Sequence, residues 1–418
     1  MSGLKVLVVG ASIAGPATAY WLAKAGASVT VIERFNDLRT NGQAVDIRSV
    51  GVTVMRKMGI EAAVRAKPVP IDGLSFVGPH GKPYATINRT GNPDQQSLVS
   101  EYEILRGDLS RILFDLTKQN ERVKYVFGEQ VASIQQHGHT EGPVTVEFLN
   151  GFPAAEFDLV IACDGATSRT RALGLGYSAS HHMHSTKCFA AYFSTKDDLL
   201  EKSKLGHAYS APGGRWVAVG QNPTGGNLAT FMRHSIGDEQ EAMGPFREAL
   251  KQGNDALKQY ISTTYQGAGW MCDDIIKCMM NSEDFYASEI VQIKLPSLYK
   301  GRFVLVGDAG YAGAAGAGTS LALVGAYVLA GEIKRHQGDL AAGLAAYNER
   351  MRPMIDDLQK TPPFLSTILA PQTAWGIWVR NAIFRIVCWT RIVEFAHRFF
   401  SGVFSGGDRY NLPDYGQD

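Results

Sequence analysis

The segment from Lys5 to Glu33 reads KVLVVGASIAGPATAYWLAKAGASVTVIE, and it decides the fold class. Its residues Val6 to Val9 are continuously apolar and largely β-branched, which is typical of a parallel strand buried on both faces, and Gly10 ends this run. An apolar helical stretch and a second strand follow, and the second strand ends in a carboxylate. A strand, a glycine turn, a helix and a strand in this order predict a dinucleotide-binding βαβ unit.

The turn after the first strand, GASIAG, predicts a phosphate site. Gly10 permits a tight turn, and Gly15 permits close packing of the helix against the strand. Ser12 stands where the usual fingerprint has its second glycine. Because the amides at a helix N-terminus attract anions, we expect this turn to bind a pyrophosphate. The expected binding residues are Gly10, Ser12, Ile13, Ala14 and Gly15.

The second strand ends at Glu33, and Arg34 follows it. Glu33 lies about 18 residues after Gly15, close to the spacing expected for an acid that hydrogen-bonds a ribose hydroxyl. A carboxylate at this point would repel a 2′-phosphate. We therefore expect Glu33 and Arg34 to contact the ribose end of the nucleotide; the alternative is that Glu33 only ends a strand.

The composition excludes several classes of function. Among 418 residues, 41 Lys and Arg face 40 Asp and Glu, and the resulting net charge of +1 gives no sign of nucleic-acid binding. The five cysteines have no CxxC spacing, so we expect reduced thiols in a cytoplasmic protein, without a disulfide or a metal site. The histidines at 181, 182 and 184 cluster without metal-ligand spacing. A small-molecule substrate is the expectation that remains.

Two apolar segments raise the question of membrane contact. The N-terminal run is too short for a spanning or secretory segment, because it is the first strand of the nucleotide fold. The segment Trp375 to Phe404 is rich in aromatic residues but is interrupted by four arginines. It predicts an amphipathic helix that packs against the body of the protein, in preference to peripheral membrane attachment.

The order of patterns along the chain predicts an α/β, Rossmann-like domain with an inserted, mainly antiparallel β-sheet substrate domain and a helical C-terminal segment. The expected nucleotide domain covers 1–175, with some substrate-domain strands near 70–100. The substrate domain covers 176–285, the nucleotide domain returns at 286–350, and the helical segment covers 351–418. A helix is predicted from Glu103 to Phe114, where apolar residues recur at helical spacing.

Four polar residues lie at the ends of predicted elements, and ligand-facing loops are expected at Asp164 and before Arg48. A buried strand runs into Asp164 and Gly165, and another runs into Gly307 and Asp308. Arg106 lies at the start of the helical pattern, and Arg48 follows the short strand-like run that begins at Ala44. The alternatives are that the two aspartates cap helices and that Arg106 is a surface arginine.

The order and spacing of these three strand-and-turn motifs resemble those of the flavin-dependent aromatic hydroxylases of the para-hydroxybenzoate hydroxylase type, the single-component FAD monooxygenases. The resemblance extends to about residue 350. It implies that the first motif binds the ADP part of FAD and that Asp164 and Gly165 lie near both FAD and NAD(P)H. It also implies that Asp308, with Gly318, holds the ribityl and pyrophosphate region, that Arg106 contacts the same region, and that Arg48 lies beside the isoalloxazine ring.

The resemblance also implies a reaction. NAD(P)H reduces the flavin, O2 adds to form a flavin hydroperoxide, and a carbon of an aromatic or polycyclic substrate takes the distal oxygen. Arg48, and Tyr311 after the third motif, are assigned catalytic positions near the flavin. The expected substrate contacts are Tyr192, Arg215, Trp216 and Phe231, with core packing as the alternative for Trp216 and Phe231. The choice between NADH and NADPH, the general base and the oligomeric state stay open.

One motif departs from the family pattern. The stretch GDAGYAGAAGAGTSLAL has no proline and is shorter than its counterparts, in a loop that lies against the reactive edge of the flavin in that family. One alternative is therefore an FAD-binding relative that catalyses a non-oxygenating cyclisation or dehydration. A second alternative is a non-enzymatic flavin-binding or membrane-associated partner protein.

Overall fold

The computed structural model describes the chain in segments. They are residues 3–39, 42–92, 99–136, 142–178, 180–313, 316–360, 368, 370–389 and 410–416. Within them the architecture is mixed α/β, and the predicted combination of a parallel sheet with a second, mainly antiparallel sheet is confirmed.

A six-stranded sheet contains the predicted nucleotide fold. Its strands in spatial order are β17 (Tyr299–Lys300), β18 (Phe303–Leu305), β11 (Leu159–Ala162), β1 (Lys5–Val9), β2 (Ser28–Glu33) and β7 (Val123–Phe127). Neighbouring strands are parallel except β17, which pairs antiparallel with β18. The carboxyl ends of β1, β11 and β18 therefore meet at one edge of the sheet, and the three predicted motifs follow these ends.

Both faces of this sheet are covered, which explains the continuous apolar run in β1. Val6 and Val8 pack into a core formed with the helices of one layer, whereas Leu7 and Val9 pack into a core on the opposite face. The helical elements on the first side are α1 (Ala14–Lys24), α2 (Val50–Lys57), α3 (Glu61–Arg65), α4 (Arg106–Thr117), α10 (Gly318–Arg335) and α11 (Leu340–Gln359). The other face packs on β8 (Val131–Gln136), β9 (Val144–Phe148) and β10 (Ala155–Phe157).

A seven-stranded sheet forms the second part of the molecule. Its strands in spatial order are β16 (Tyr286–Ile293), β12 (Met183–Thr195), β15 (Asn227–His234), β14 (Arg215–Gln221), β13 (Leu205–Ala211), β4 (Gly73–Val77) and β5 (Pro83–Asn88). Only the β13–β4 pair is parallel among the pairings of this sheet in the described chain. One face packs on α6 (Glu239–Gln252), α7 (Asn254–Tyr265) and α8 (Cys272–Asn281), which the strand patterns did not predict.

The helix predicted from Glu103 begins later than expected. Residues Glu103–Leu105 form β6, which pairs antiparallel with β3 (Ala44–Asp46), and α4 begins at Arg106. The apolar residues 104 and 105 follow helical spacing only by coincidence, because pairing with β3 holds them extended. Two short helices complete the nucleotide fold: α5 (Arg169–Leu175) and α9 (Asp308–Tyr311).

The last described helix, α12 (Ala374–Trp389), lies against the seven-stranded sheet. The Phe384 ring packs 5.2 Å from the Phe76 ring, and Nη1 of Arg380 donates to Oγ of Ser210 at 3.0 Å. Trp375 is 73% exposed on the outer side. The expected helical segment beyond 389 lies mostly outside the described residues. In the part of the chain that the structure describes, no helix is long and apolar enough to cross a membrane.

Candidate active site

A cleft of about 470 Å³ follows the edge of the six-stranded sheet where β1, β11 and β18 end. Loops after these strands form one wall, and β12 of the seven-stranded sheet contributes Tyr192 to the other. The predicted cofactor residues on the walls are Gly10, Ser12, Ile13, Ala14, Glu33, Arg34, Arg106, Asp164, Gly165, Asp308 and Gly318. Gly15 lies behind the wall, in the first turn of α1.

The glycine turn is held in place by contacts that only glycine allows. Gly10 has φ of +107°, and a Cβ there would lie 2.7 Å from the carbonyl oxygen of Cys163. A Cβ on Gly15 would lie 1.8 Å from the carbonyl oxygen of Gly10. Both substitutions would collide with backbone, so the strand, the turn and α1 fit together only with glycine at these positions.

Glu33 has a structural partner inside the turn. Its Oε2 accepts from the Ala11 amide at 2.9 Å, and its Oε1 accepts from the Phe35 amide at 3.2 Å. The carboxylate thus ties the end of β2 to the glycine turn while it lines the cleft. Each oxygen keeps a second lone pair, so contact with a ribose hydroxyl is compatible with these bonds. Arg34 lies beside it, with its guanidinium 4.7 Å from the centre of the Phe35 ring.

Asp164 organises the second loop of the cleft wall. Its Oδ1 accepts from the Ser168 hydroxyl at 2.5 Å, and its Oδ2 accepts from the Thr170 hydroxyl at 2.8 Å. Burial raises the pKa of Asp164, and these hydrogen bonds act in the opposite direction. Gly165 has φ of +88°, with open space where a Cβ would stand. The alternative, that Asp164 caps a helix, holds only indirectly: Asp164 binds the Ser168 hydroxyl, and Ser168 is the residue that caps α5.

A buried arginine joins the second loop to the third. Nη1 of Arg171 donates to the carbonyl oxygen of Ala166 at 3.0 Å and to that of Ala309 at 2.9 Å. Arg171 itself is only 2% exposed. Arg171 thus links the loop after β11 to the loop after β18. The sequence motifs did not predict this contact.

Asp308 lies at the start of α9 and is surrounded by protein, yet its side chain is open to the cleft. Desolvation raises its pKa, and the positive charge of Arg106 across the cleft lowers it. A Cβ on Gly318 would lie 3.5 Å from Oδ1 of Asp308, so the start of α10 approaches the carboxylate closely. This carboxylate is placed to accept hydrogen bonds from a ligand in the cleft.

Arg48 is buried beside the cleft and paired. Its side chain is 6% exposed, and its Nη2 lies 2.9 Å from Oδ2 of Asp46. Its backbone amide donates to Oγ of Ser320 in α10 at 2.8 Å. Asp46, which sequence reasoning did not select, lines the cleft. The only sequence signal for it was its position two residues before Arg48, at the end of the same strand.

Tyr311 does not reach the cleft. The residue is 1% exposed, and its hydroxyl approaches the carbonyl oxygen of Leu321 at 3.4 Å. A Cβ on Gly325 would lie 1.9 Å from that hydroxyl, so Gly325 provides the space that the ring fills. The structure therefore corrects the expectation of a catalytic contact for Tyr311, because α9 turns this side chain into the helical layer.

The four expected substrate residues divide between the two faces of the seven-stranded sheet. Phe231 is fully buried, 4.5 Å from the Tyr265 ring of α7, and Nη1 of Arg215 donates to the carbonyl oxygen of Thr264 at 3.0 Å. The structure does not bring Phe231 and Arg215 to the cleft, because strand alternation turns them toward the helices. Trp216 lies on the same side as Tyr192, although only Tyr192 lines the cleft.

Of the three histidines that cluster in the sequence, His181 and His182 lie just before β12 and His184 lies at its start. The rings of His181 and His182 lie 4.3 Å apart, next to the Tyr177 ring. Among the described residues, no group of three His, Cys, Asp or Glu side chains could hold a metal ion.

The parallel sheet and the loops at its edge define a Rossmann-like dinucleotide-binding protein, and the second sheet faces the same cleft. The sequence model of the FAD binding domain family matches residues 3–359, so the chain belongs to this family.

Named relatives specify the chemistry. The FAD-dependent monooxygenase asL4 of Sarocladium schorii is 32% identical, with 94% of each chain covered. A flavin-dependent monooxygenase of Legionella longbeachae is 34% identical over 91% of this chain and 89% of its own. The crystal structure of the tetracycline destructase Tet(55) matches with a TM-score of 0.77 and 29% identity, covering 99% of this chain and all of its own. The protein is an FAD-dependent monooxygenase, as its three motifs predicted.

Proposed function

We propose that this monooxygenase uses NAD(P)H and O2 to oxygenate an aromatic or polycyclic small molecule of the natural-product type. The observation that carries the proposal is one cleft that extends from the glycine turn to Tyr192 of the second sheet. A cleft of this form can hold a dinucleotide at one end and a substrate at the other. The name of the relative Tet(55), a tetracycline destructase, supports a polycyclic substrate.

The residues of the cleft wall fit FAD. A Cβ on Gly10 would collide with the main chain of Cys163, whereas a Cβ on Gly165 would stand in open space. Neither glycine places a side chain against the cofactor. The Asp308 carboxylate is open to the cleft, and Arg106 supplies a positive charge at the same wall. We assign the glycine turn and Glu33 to the ADP part, Asp164 and Gly165 to the middle of the cofactor, and Asp308, Arg106 and Gly318 to the ribityl and pyrophosphate region.

Bound FAD, once reduced by NAD(P)H, supplies the activation of O2. The protein's own part is to position the reactants and to fix charge beside them. Burial raises the pKa of Tyr192 to about 12, so its hydroxyl stays protonated and can donate a hydrogen bond to a substrate oxygen. Arg48 does not line the cleft itself, but its salt bridge with Asp46 holds a positive charge behind the wall where we expect the isoalloxazine ring.

The test is an anaerobic titration of the purified protein with NADPH and with NADH, followed spectroscopically. We expect a bound FAD spectrum that bleaches and that returns when oxygen is admitted. In the presence of phenolic, polyketide and alkaloid candidates, isotopically labelled O2 should then appear in the product. A converted substrate with no labelled oxygen, or with a flavin that resists reduction, would identify a non-oxygenating enzyme instead.

Within the same proposal we place the protein in the cytoplasm, where NAD(P)H is available. The buried thiols of Cys163, Cys188, Cys272 and Cys278 are free, which fits a reducing compartment. Fractionation of the source cells, with the flavin as a marker of the folded protein, checks this assignment.

A further inference from the structure

Helix α12 turns an apolar face away from the molecule. Trp375, Trp378, Ile383 and Ile386 are each between 55% and 73% exposed. With about 3.6 residues per turn, these four positions fall on one side of the helix. We call them the outer face of α12. A helix that only completes a core buries such side chains and exposes its polar ones, so this face needs another explanation.

The inner face of α12 holds a charged residue. Nη1 of Arg380 donates to Oγ of Ser210 at 3.0 Å, and its Nη2 donates to the Tyr84 hydroxyl at 3.3 Å. The Phe384 ring packs against the Phe76 ring on the same side. These contacts fix α12 on β13, β4 and β5 and so determine which way the outer face points. Packing against the body of the protein therefore accounts for one face of the helix only.

The two segments that pack together here are cationic. Residues 73–92 include β4 and β5, and residues 370–389 include α12. Together they contain no Asp or Glu, and their Lys and Arg residues are Lys82, Arg89, Arg380 and Arg385. The whole chain, by contrast, has nearly equal numbers of both signs. Arg385 is exposed and lies on the same side of α12 as Trp378, seven positions before it. The outer face therefore combines apolar rings with a positive charge, which is complementary to an anionic surface.

We propose that the outer face of α12 docks on the surface of an anionic lipid bilayer. Trp375 and Trp378 enter the boundary between headgroups and acyl chains, where an indole buries its ring and keeps its N–H hydrated. Arg385 meets the lipid phosphates. The helix has 16 residues, about 24 Å, and lies along the membrane surface because its inner face stays on the protein. The cytoplasmic leaflet of a cell membrane is anionic, which agrees with the compartment assigned above.

A second copy of the chain fits this face less well. A symmetric dimer brings a patch against its own copy, so Arg385 would lie close to the Arg385 of the other chain. The acid-free segments around it offer no carboxylate to neutralise the two charges. A bilayer supplies anionic headgroups and apolar chains at the same place, so it satisfies both properties of the face.

A docked membrane would adjoin the substrate side of the molecule. Ser210, which α12 contacts, is the cross-strand partner of Trp216, and such partners share a face of the sheet. Trp216 in turn shares its face with Tyr192 of the cleft. This consequence, unlike the docking itself, rests on the proposed function: an apolar polycyclic substrate dissolved in lipid would reach the enzyme on its substrate side.

The test is flotation of the FAD-loaded full chain with vesicles of phosphatidylcholine alone and of phosphatidylcholine mixed with phosphatidylserine. We expect binding to the mixed vesicles that added salt weakens. Trp375→Ala and Trp378→Ala together should lower this affinity by about tenfold or more, because they remove much of the apolar area that lipid covers. Arg385→Gln should lower it by about fivefold, and only when phosphatidylserine is present.

The matched controls are Leu149→Ala and Arg111→Gln. Leu149 is an exposed apolar side chain after β9, and Arg111 is an exposed arginine of α4. Neither substitution should change the affinity for vesicles. Thermal unfolding and FAD content should be similar for all of these variants, because the side chains that they replace are largely exposed.

A second measurement locates the tryptophans directly. Phosphatidylcholine with brominated acyl chains, mixed with phosphatidylserine, should quench the tryptophan fluorescence of the bound protein. Trp375→Phe and Trp378→Phe together keep two apolar rings, so the variant should still bind but lose most of the quenching. This variant also tests the proposal if the alanine variant does not fold.

Three results would each overturn the inference: no flotation, flotation that the alanine substitutions leave unchanged, or quenching that the phenylalanine substitutions leave unchanged. Self-association that the alanine substitutions abolish, without flotation, would assign the face to a second copy instead. Oxygenation without flotation would overturn this inference and leave the proposed function intact, and flotation of a protein that does not oxygenate would do the reverse.

Discussion

The two walls of the cleft are built in different ways. The cofactor wall consists of turns after parallel strands, where Gly10, Gly165 and Asp308 act through main-chain conformation and through their place at a strand end. The substrate wall is one face of the seven-stranded sheet, whose other face packs on three helices. The end of a strand fixes where the following turn lies, whereas the face that a strand residue occupies depends on the register and packing of its sheet. Local sequence therefore defines the first wall better than the second.

The largest effect is expected where the cofactor wall depends on backbone contact. Gly15→Ala places a Cβ 1.8 Å from the carbonyl oxygen of Gly10, and the main chain must move to accommodate it. We expect a loss on the order of 4 kcal/mol in the free energy of unfolding, with little or no bound FAD. Thermal unfolding and the flavin-to-protein absorbance ratio measure both effects.

The control for this prediction is Gly78→Ala, where the new Cβ would meet its nearest neighbour, the carbonyl oxygen of Lys82, at 3.7 Å. This is an ordinary contact, so stability and FAD content should change little. Equal effects of the two substitutions would mean that the glycine turn tolerates displacement and that the comparison of walls is wrong.

The next effect separates the two faces of the substrate sheet. Phe231→Ala removes a fully buried ring that contacts Tyr265 and Phe193, and we expect it to lower stability by about 3 kcal/mol. Tyr192→Phe removes only a cleft-facing hydroxyl, so stability should be nearly unchanged while KM rises by up to about tenfold. Chemical denaturation and steady-state kinetics distinguish these outcomes. A raised KM for the folded Phe231 variant at unchanged stability would place the ring in the substrate site after all.

Asp308 tests the cofactor wall by its chemistry. Asp308→Ala removes an acceptor that is open to the cleft, and we expect about 10- to 100-fold weaker FAD binding, equivalent to about 1.5–3 kcal/mol. Titration of the apoprotein with FAD, followed by flavin fluorescence, gives the two dissociation constants. Asp339→Ala serves as the control, because Asp339 caps α11 through the Ala342 amide and is not among the residues that line the cleft. An Asp308 variant that is purified with full FAD occupancy would remove this residue from the binding site.

The residues of the cofactor wall could be predicted from the sequence for a physical reason. A parallel strand that ends in Asp-Gly or Gly-Asp must place that residue at the carboxyl edge of its sheet, so Asp164 and Asp308 could be located without knowledge of the packing. Tyr311 shows where this reasoning ends. It lies only three residues after Asp308, but α9 turns it toward Gly325, a residue that no local pattern connects to it.

The substrate wall could not be predicted to the same depth. Residues 231 and 216 belong to neighbouring strands that carry apolar residues on both faces, so hydrophobicity does not tell which face meets the helices and which meets the cleft. The pairing of Asp46 with Glu103 is a further case, because it depends on the register between strands that are 57 positions apart in sequence. Helical spacing after Glu103 even favoured the wrong element there.

The smallest expected effect concerns Glu103, which lies opposite Asp46 in the two-stranded sheet of β3 and β6. Because burial, and after it the negative charge of Asp46, raises the pKa of Glu103 to about 7 in the folded protein, the folded state holds this proton more tightly than the unfolded chain does. Its contribution to stability is complete below the ordinary pKa of a glutamate and is lost as the pH rises through about 7. We expect the free energy of unfolding to fall by up to about 1.4 kcal/mol per pH unit within that window, which is the linkage slope of one proton. Glu103→Gln should flatten this slope. Glu101→Gln is the control and should preserve it, because the Glu101 carboxylate accepts from the Gly91 amide at 2.8 Å, away from the β3–β6 pair. Urea unfolding at a series of pH values measures the difference, and parallel slopes for both variants would mean that Glu103 does not hold the proton.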